Sequence, residues 1–370
     1  MIIIYLGFFL ILVTLLRQGK LKPEFGFLII FVIMAFQSNV EGDFAGYKEE
    51  FENNVVSRTA EDEPIWQFLN DLFKPLGFLA FNIFLCAFQI FVLLSLCKKY
   101  SSSKYLYLAP ILFLFTNSMM LIHMKAIRQC LAMELCVLPF LVDYAKCNKF
   151  KWLYVLIPFL LAFFIHNSAV VAAVPLSLYY LQGKSNILSY QSNNTKSEFF
   201  FPILVTGLFY VLYFAKESIL YSYFIQLGSI MQAYDFRGSG YASLEENGVE
   251  LFDVSWLIVL YDAIMVFFTT WYFQRTNGVI RVFAICSLIA SFWDMMFFGM
   301  GSLMRVGYYY SIFNLVLIPN LAEHIENRFG SIAVKLFIVT CVGYAIKTTW
   351  PSFTSSDPVL FGNYKFIFWN

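Results

Sequence analysis

The sequence predicts an all-α polytopic membrane protein, and three observations carry that prediction: composition, hydropathy and the length of the apolar runs. Of the 370 residues, 60% are hydrophobic and 13% are charged, and the mean hydropathy is +0.68. Soluble domains contain roughly 25% charged residues. Apolar runs of about 15 to 22 residues recur from end to end, close to the length that a helix needs to cross a bilayer. Strands of a β-barrel would instead alternate in hydropathy over about ten residues, which these runs do not do.

About twelve membrane spans are expected, two of them short. The candidates are residues 2–16, 25–40, 76–96, 105–122, 127–145, 152–165, 167–181, 199–215, 253–273, 280–298, 306–322 and 332–349. The first run has no basic segment before it and no small-residue cleavage site, so we expect an uncleaved span with its N-terminus outside. The two short spans are expected to meet near His166. We interpret residues 1–370 as a single integral membrane domain.

Basic residues in the loops predict which span ends face the cytoplasm, because Lys and Arg favour that side. Six loops contain two or three basic residues each, at 17–22, 98–104, 146–151, 183–196, 274–281 and 327–335. Taking them as cytoplasmic makes every second loop cytoplasmic, provided that 152–181 crosses twice. Both termini and two long acidic loops then lie outside. These loops are 216–252 and 41–75, of which 41–75 holds nine Asp and Glu against three Lys and Arg.

The acidic loops contain further candidates for substrate binding. Asp43 and Tyr47 stand four residues apart, on one face of a short helix, and could bind sugar hydroxyls, although Asp43 could merely cap its helix. Arg237 lies in the 216–252 loop and is another candidate. Within 61–77, an apolar stripe follows several acids and Pro64, which predicts an amphipathic helix on the membrane surface.

Five cationic or titratable side chains stand on the predicted outer side, where the loop charges do not favour them: His123, Lys125, Arg128, His166 and Arg305. Charged groups beside a span are costly enough to be functional candidates. Both arginines could bind phosphate or pyrophosphate, or they could reach lipid headgroups or pair with a loop carboxylate.

The other three have similar alternatives. Lys125 lies one turn from Arg128 on the same helix face and could share its phosphate. His166 could be a general base, a donor to phosphate or a structural hydrogen-bonder, and His123 is a further candidate for binding substrate.

Three histidines make a dedicated metal cage unexpected, and no cofactor motif is present. Asp294 lies within an apolar run and needs a partner, for which Arg305 is one candidate.

Five short segments resemble, in order along the chain, elements of the EpsG-like branch of Wzy-type polysaccharide polymerases. They are NVEGDFAGYKEEF, KAIRQCLAMELC, FFIHNSAVVAAVP, RVGYYYSIFNLVLIP and GNYKFIFWN. They are similar to that family's D-x-x-x-Y-x-x-x-F, R-Q-x-x-A, H-x-S-A-hydrophobic-Pro, R-x-x-x-Y…P and P-Y-x-F elements. Asn363 stands where a proline is common before Tyr364.

The resemblance implies an inverting, metal-independent glycosyltransferase with a GT-C-like helical bundle and no cofactor. It would act at the outer face of the bacterial cytoplasmic membrane on donor and acceptor oligosaccharides linked to undecaprenyl pyrophosphate. The product would be O-antigen, capsule or exopolysaccharide, and a chain-length regulator is an expected partner. No nucleic acid is expected.

The resemblance also implies roles for individual residues. Arg128 and Arg305 would hold pyrophosphate with help from Lys125, His166 would act as base or pyrophosphate donor, and Asp43 and Tyr47 would position sugar. The alternatives are a flippase or transporter of lipid-linked oligosaccharides, an O-antigen ligase and a membrane acyltransferase.

Overall fold

The computed structural model describes the chain in separate stretches, which together cover most of its predicted spans. The described residues are 15, 17–19, 21–37, 43–53, 63–115, 119–142, 152–181, 198–215, 256–297 and 301–354, with side chains not described at 301–303 and 349–354. Nearly all of these residues are helical, and they include no strand. Nearly all of the first predicted span, the whole 216–252 loop and the C-terminal segment after residue 354 lie outside them.

Fourteen α-helices have both ends within the described residues, and we number them in chain order. They are α1 (Pro23–Ala35), α2 (Asp43–Asn53), α3 (Pro64–Phe73), α4 (Phe78–Tyr100), α5 (Leu108–Phe115), α6 (Met119–Lys125), α7 (Ile127–Leu141), α8 (Leu153–Ile165), α9 (Ala173–Leu181), α10 (Phe200–Ala215), α11 (Trp256–Phe273), α12 (Gly278–Phe297), α13 (Gly301–Ser311) and α14 (Asn314–Thr354). Short 3-10 helices occupy Lys74–Leu76 and Asn167–Ala172.

Within the described residues, four helices are long and apolar enough to cross a membrane: α4, α11, α12 and the Asn314–Thr348 part of α14. A fifth span results if α5 and α6 are counted together, although they are bent by 60°. The all-α membrane fold is therefore confirmed, whereas twelve spans and a GT-C-like bundle stay predictions. The predicted span 306–322 is divided between α13 and α14, and 332–349 lies within α14, which is kinked at Gly330, where φ is 86°.

The chain forms two compact units, and each is described by itself. The first unit comprises residues 1–190, 277–283 and 312–370, and the second comprises 191–276 and 284–311. In the first unit, α7 packs on both α4 and α8, α4 also packs on α1, and α3 packs on α8. These contacts hold the loop that carries α2 and α3 against the start of α4.

The basic loops of the first unit meet at one end of it. Lys98 forms an ion pair with Glu24 at 2.8 Å, and Lys104 pairs with Glu326. Lys99 donates from Nζ to the carbonyl oxygen of Leu141 at 3.0 Å. The chain beside two further basic loops, 17–22 and 327–335, is thereby linked to the C-terminal end of α4, where the basic loop 98–104 begins. We call this end the basic end.

The opposite end of α4 lies about 34 Å away, because the helix has 23 residues at about 1.5 Å each. There, Glu63 of the first acidic loop contacts both Arg128 and His166. The residues that the charge pattern assigns to the two sides of the membrane are therefore found at two different ends of this unit.

The segment 152–181 reverses direction at His166. Its first residues, Leu153 and Tyr154, line an apolar groove together with Lys99 and Val142 at the basic end. Its last turn also lies there, since the Tyr179 ring packs on Phe140 with centroids 4.4 Å apart. The turn between the two passes contacts Glu63 at the opposite end. The chain therefore runs the length of the unit twice, as the alternation of loop charges requires.

The second unit buries several polar groups. Glu198 accepts a hydrogen bond from Trp271 Nε1 at 2.9 Å and contacts the Arg275 guanidinium at 2.5 Å. Asp294 of α12 is buried against α13, where the space beside the Gly307 Cα is filled by Trp293 and Asp294. Arg305, its predicted partner, precedes Gly307 on the same helix.

Candidate functional site

An aromatic cluster fixes the first acidic loop on the start of α4. The Tyr47 and Trp66 rings meet edge to face with centroids 5.6 Å apart, and Trp66 packs on Phe81 at 5.3 Å. Phe51 stacks on the same Phe81 ring at 5.6 Å. Because Trp66 and Phe81 are fully buried, α2 and α3 have a fixed position on α4. Glu63, which stands directly before α3, is thereby placed beside α7 and α8.

Glu63 is the residue at the centre of the site. It stands directly before Pro64, and the clash of a proline ring with the preceding residue keeps Glu63 in a non-helical conformation, with φ −123° and ψ 69°. Its main-chain carbonyl accepts the first hydrogen bonds of α3, but its carboxylate does not cap that helix. The carboxylate instead points between Arg128 and His166, with 1% of its side chain exposed.

Arg128 lies in the first turn of α7, an unfavourable place for a cation because the helix dipole is positive there. Its Nη1 is 2.8 Å from Glu63 Oε2, and its Cζ lies 5.1 Å from the centre of the Tyr47 ring. The side chain is only 7% exposed. Arg128 therefore pairs with a loop carboxylate, which is one of the alternatives that the sequence left open.

The pairing uses little of the hydrogen-bonding capacity of the guanidinium. Nε and Nη1 of Arg128 are buried, and neither has an aligned acceptor among the described residues. Glu63 Oε2 also lacks an aligned donor there, so its 2.8 Å contact with Arg128 is electrostatic. A buried donor without an acceptor costs about 1–3 kcal/mol. The start of α7 thus presents a guanidinium and a helix N-terminus that an anion with several oxygens would satisfy.

His166 occupies the turn between α8 and the 3-10 helix. Its backbone is extended, with φ −156° and ψ 117°, and Asn167 and Ser168, which follow it, favour turns over helix interiors. The ring nitrogen Nδ1 is 3.0 Å from Glu63 Oε1. The side chain is 25% exposed, which makes it the most accessible of the three groups.

Glu63 therefore brings together Arg128 and His166, and Tyr47 joins this cluster through the contact of its ring with the Arg128 guanidinium. All three are predicted site residues. Asp43 lies one turn before Tyr47 on α2, as the four-residue spacing predicts. Lys125 is buried at the end of α6. The expectation that Lys125 and Arg128 share one helix face was wrong, because the helix breaks between them at Ala126, where φ is −94° and ψ is 52°.

His123 has a different environment from the other predicted site residues. It is fully buried, its Nε2 lies 2.8 Å from Glu134 Oε1, and its Nδ1 lies 2.8 Å from the Met119 carbonyl oxygen. The Phe113 ring packs edge to face on the imidazole at 4.8 Å. Both ring nitrogens are occupied by the protein, and the His123–Glu134 pair holds α6 to α7 within the first unit.

The two remaining predicted residues are Arg305 and Arg237. Arg305 lies in α13 of the second unit, where its side chain is partly exposed. Arg237 lies outside the described residues.

Two carboxylates were missed by the sequence reasoning. Glu63 is one of nine acids in its loop, and only its place directly before a proline at a helix start distinguishes it. Glu134 stands in the apolar span that follows Arg128, where an isolated carboxylate requires a buried partner.

The fold and the site together define a polytopic helical membrane protein in which an arginine and a histidine share one buried carboxylate. A profile of the EpsG family matches residues 25–364, nearly the whole chain. The chain therefore belongs to the EpsG family, a Wzy-like polymerase family. Comparisons with curated proteins and with solved structures gave no match.

Proposed function

We propose that the protein polymerises oligosaccharide repeat units linked to undecaprenyl pyrophosphate, at the outer face of the bacterial cytoplasmic membrane. The observation that carries the proposal is the buried Arg128 guanidinium at the start of α7, whose Nε has no acceptor among the described residues. A pyrophosphate supplies several acceptor oxygens and negative charge, and both the guanidinium and the helix N-terminus favour them. Membership of the EpsG family supports the same class of reaction.

The proposed reaction is an inverting glycosyl transfer. A hydroxyl oxygen of the acceptor repeat attacks C1 of the donor sugar, and the bond between C1 and the pyrophosphate oxygen breaks. The bonding electrons leave with the pyrophosphate, and the hydroxyl proton passes to a base, a role for which we choose His166. Arg128 stabilises the negative charge that develops on the leaving pyrophosphate.

The other predicted residues have supporting roles in this proposal. Arg305 and Lys125 contribute positive charge toward the pyrophosphates of the substrates, and Asp43 positions sugar hydroxyls, as does Arg237. The ring of Tyr47 supports the Arg128 guanidinium, at 5.1 Å from its Cζ. His123 is proposed to act at one remove from the substrate, through the helix break that precedes Arg128.

Glycan gels from a strain that carries the protein as its sole polymerase test the proposal. Arg128→Ala should leave single repeats capped on the final acceptor, with normal amounts of the protein in the membrane. Arg128→Lys keeps the charge but loses the fork of donors, so it should give short chains at best. Lys98→Ala removes a cation from the basic end and serves as the matched control, with wild-type polymer expected.

Two results would count against the assignment. Full-length polymer from Arg128→Ala would remove Arg128 from the reaction. Polymer that accumulates on the lipid carrier in the deletion strain would identify the protein as a ligase, because a polymerase is then still present elsewhere.

A further inference from the structure

We infer that Glu63 is a positioning residue for the proposed transfer: it fixes the His166 ring with its proton on Nδ1 and so makes Nε2 the basic nitrogen. The inference rests on the proposed function, because it assigns the proton-accepting atom in that reaction. Glu63 acts through His166 and does not itself touch the reacting atoms.

The hydrogen bond between the two side chains determines the tautomer. Glu63 Oε1 lies 3.0 Å from His166 Nδ1. An ionised carboxylate can only accept, so Nδ1 must carry the proton of this hydrogen bond. In a neutral imidazole the lone pair then belongs to Nε2. Among the described residues Nε2 has no hydrogen-bond partner, so it is available to a substrate hydroxyl.

The charge of the cluster favours a neutral ring. Arg128 is permanently charged and lies 2.8 Å from Glu63 Oε2, so the one carboxylate already balances one buried cation. A second positive charge on His166 would leave the described cluster with a net charge in a poorly solvated place, which is costly. The balanced arrangement is an ionised Glu63, a charged Arg128 and a neutral His166.

The exposure of the two side chains fits these roles. Glu63 is 1% exposed and is covered by protein, whereas His166 is 25% exposed and is accessible to a substrate. When Nε2 takes the hydroxyl proton, the ring becomes an imidazolium, and its positive charge is then held by the carboxylate at Nδ1. The bond from the acceptor oxygen to C1 forms while the bond from C1 to the pyrophosphate breaks. Glu63 neither gains nor loses a bond or a proton in this step.

Nitrogen NMR of the histidine rings tests the assignment without any substrate. The chain has only three histidines, so the protein labelled with ¹⁵N-histidine in nanodiscs gives three rings, and His166→Gln identifies the one of interest. In the wild type at pH 7.5, His166 should carry one proton, on Nδ1. Glu63→Gln keeps the shape but weakens the acceptor, so the tautomer ratio should move about tenfold toward Nε2–H.

The chain provides a matched control in its second His–Glu pair. Both nitrogens of His123 lie against acceptors, so Glu134→Gln should change the His123 signals and leave those of His166 as they were. A protonated ring with protons on both nitrogens of His166 would overturn the inference, because such a ring cannot accept a proton. An unchanged His166 tautomer in Glu63→Gln would overturn it as well.

Kinetics separate the inference from the proposed function. With repeat units extracted on their lipid carrier from a polymerase-deletion strain, Glu63→Gln should lower kcat on the order of a hundredfold or more and leave KM for the carrier-linked repeat within about threefold. Glu63→Asp should restore part of kcat, because it keeps a charged acceptor.

The failures of the two proposals look different. If His166→Gln still polymerises at the wild-type rate, the proposed role of His166 fails together with the inference. If His166→Gln is inactive but Glu63→Gln keeps its kcat, the proposed function stands and the positioning role of Glu63 is refuted.

Discussion

The ring of Tyr47 should be worth about 2.5 to 3.5 kcal/mol to the site, and two substitutions separate its ring from its hydroxyl. Tyr47→Leu removes the ring, and Tyr47→Phe removes only the hydroxyl. The cation–π contact with Arg128 is desolvated, because that side chain is 7% exposed, and such contacts contribute about 2 kcal/mol. The edge-to-face pair with Trp66 adds about 0.5–1.5 kcal/mol.

These two contacts have different consequences. Loss of the Trp66 contact loosens α2 from α3 and lowers thermal stability. Loss of the cation–π contact frees the guanidinium, and if all of its roughly 2 kcal/mol is expressed in the transition state, the rate falls about thirtyfold. Tyr47→Leu should therefore show both a lower apparent melting temperature and shorter glycan chains, whereas Tyr47→Phe should be close to wild type in both.

Purified protein in detergent gives the melting temperature by tryptophan fluorescence, and glycan gels give the chain length. If Tyr47→Phe is as defective in chain length as Tyr47→Leu, the hydroxyl binds sugar and the ring is not the important part. Wild-type melting temperature and chain length in Tyr47→Leu would refute both proposed contributions of the Tyr47 ring.

Three further outcomes are expected. Glu134→Leu should lower the apparent melting temperature by the largest margin, since removing one partner of a buried pair costs about 3–5 kcal/mol and His123 stays buried. Gly307→Ala should cost about 1–3 kcal/mol, because its Cβ would lie 2.9 Å from a Trp293 ring carbon, whereas Gly207→Ala, with nothing within 4 Å, should be neutral or stabilising in the same melting assay. Reporter fusions after residues 75 and 150 should report opposite sides of the membrane. If both report the same side, the predicted outward orientation of the site is refuted.

The reversal of the chain at His166 could be predicted from loop charge alone. Hydropathy does not distinguish one long crossing of 152–181 from two short ones, but the alternation of basic loops allows only two. The same counting assigns Arg128, His166 and Tyr47 to one end, where Glu63 contacts Arg128 and His166 and the Tyr47 ring contacts Arg128. The assignment of loops to the two sides uses the charges of the whole chain, so it can predict a reversal that the local hydropathy of 152–181 leaves ambiguous.

Other features could not be predicted, for physical reasons that differ. The helix break at Ala126 occurs in a stretch of good helix formers, so tertiary packing and not propensity determines it. Glu63 looks like every other acid in a long acidic loop until α3 is docked on α4 by Trp66. Glu134 could not be recognised as the partner of His123, because the sequence does not show that α6 and α7 pack against each other.

The contact between Glu63 and His166 joins residues 103 positions apart in sequence. During synthesis, Glu63 emerges long before the turn at His166 is made, and Arg128 emerges between them. The site is therefore incomplete until the α8–α9 hairpin has been inserted, so a chain that stalls or is truncated before that point has a guanidinium but no base. Under the proposed function, an unfinished copy would hold the lipid carrier but would not consume it, so completion of the hairpin would couple biogenesis to catalysis.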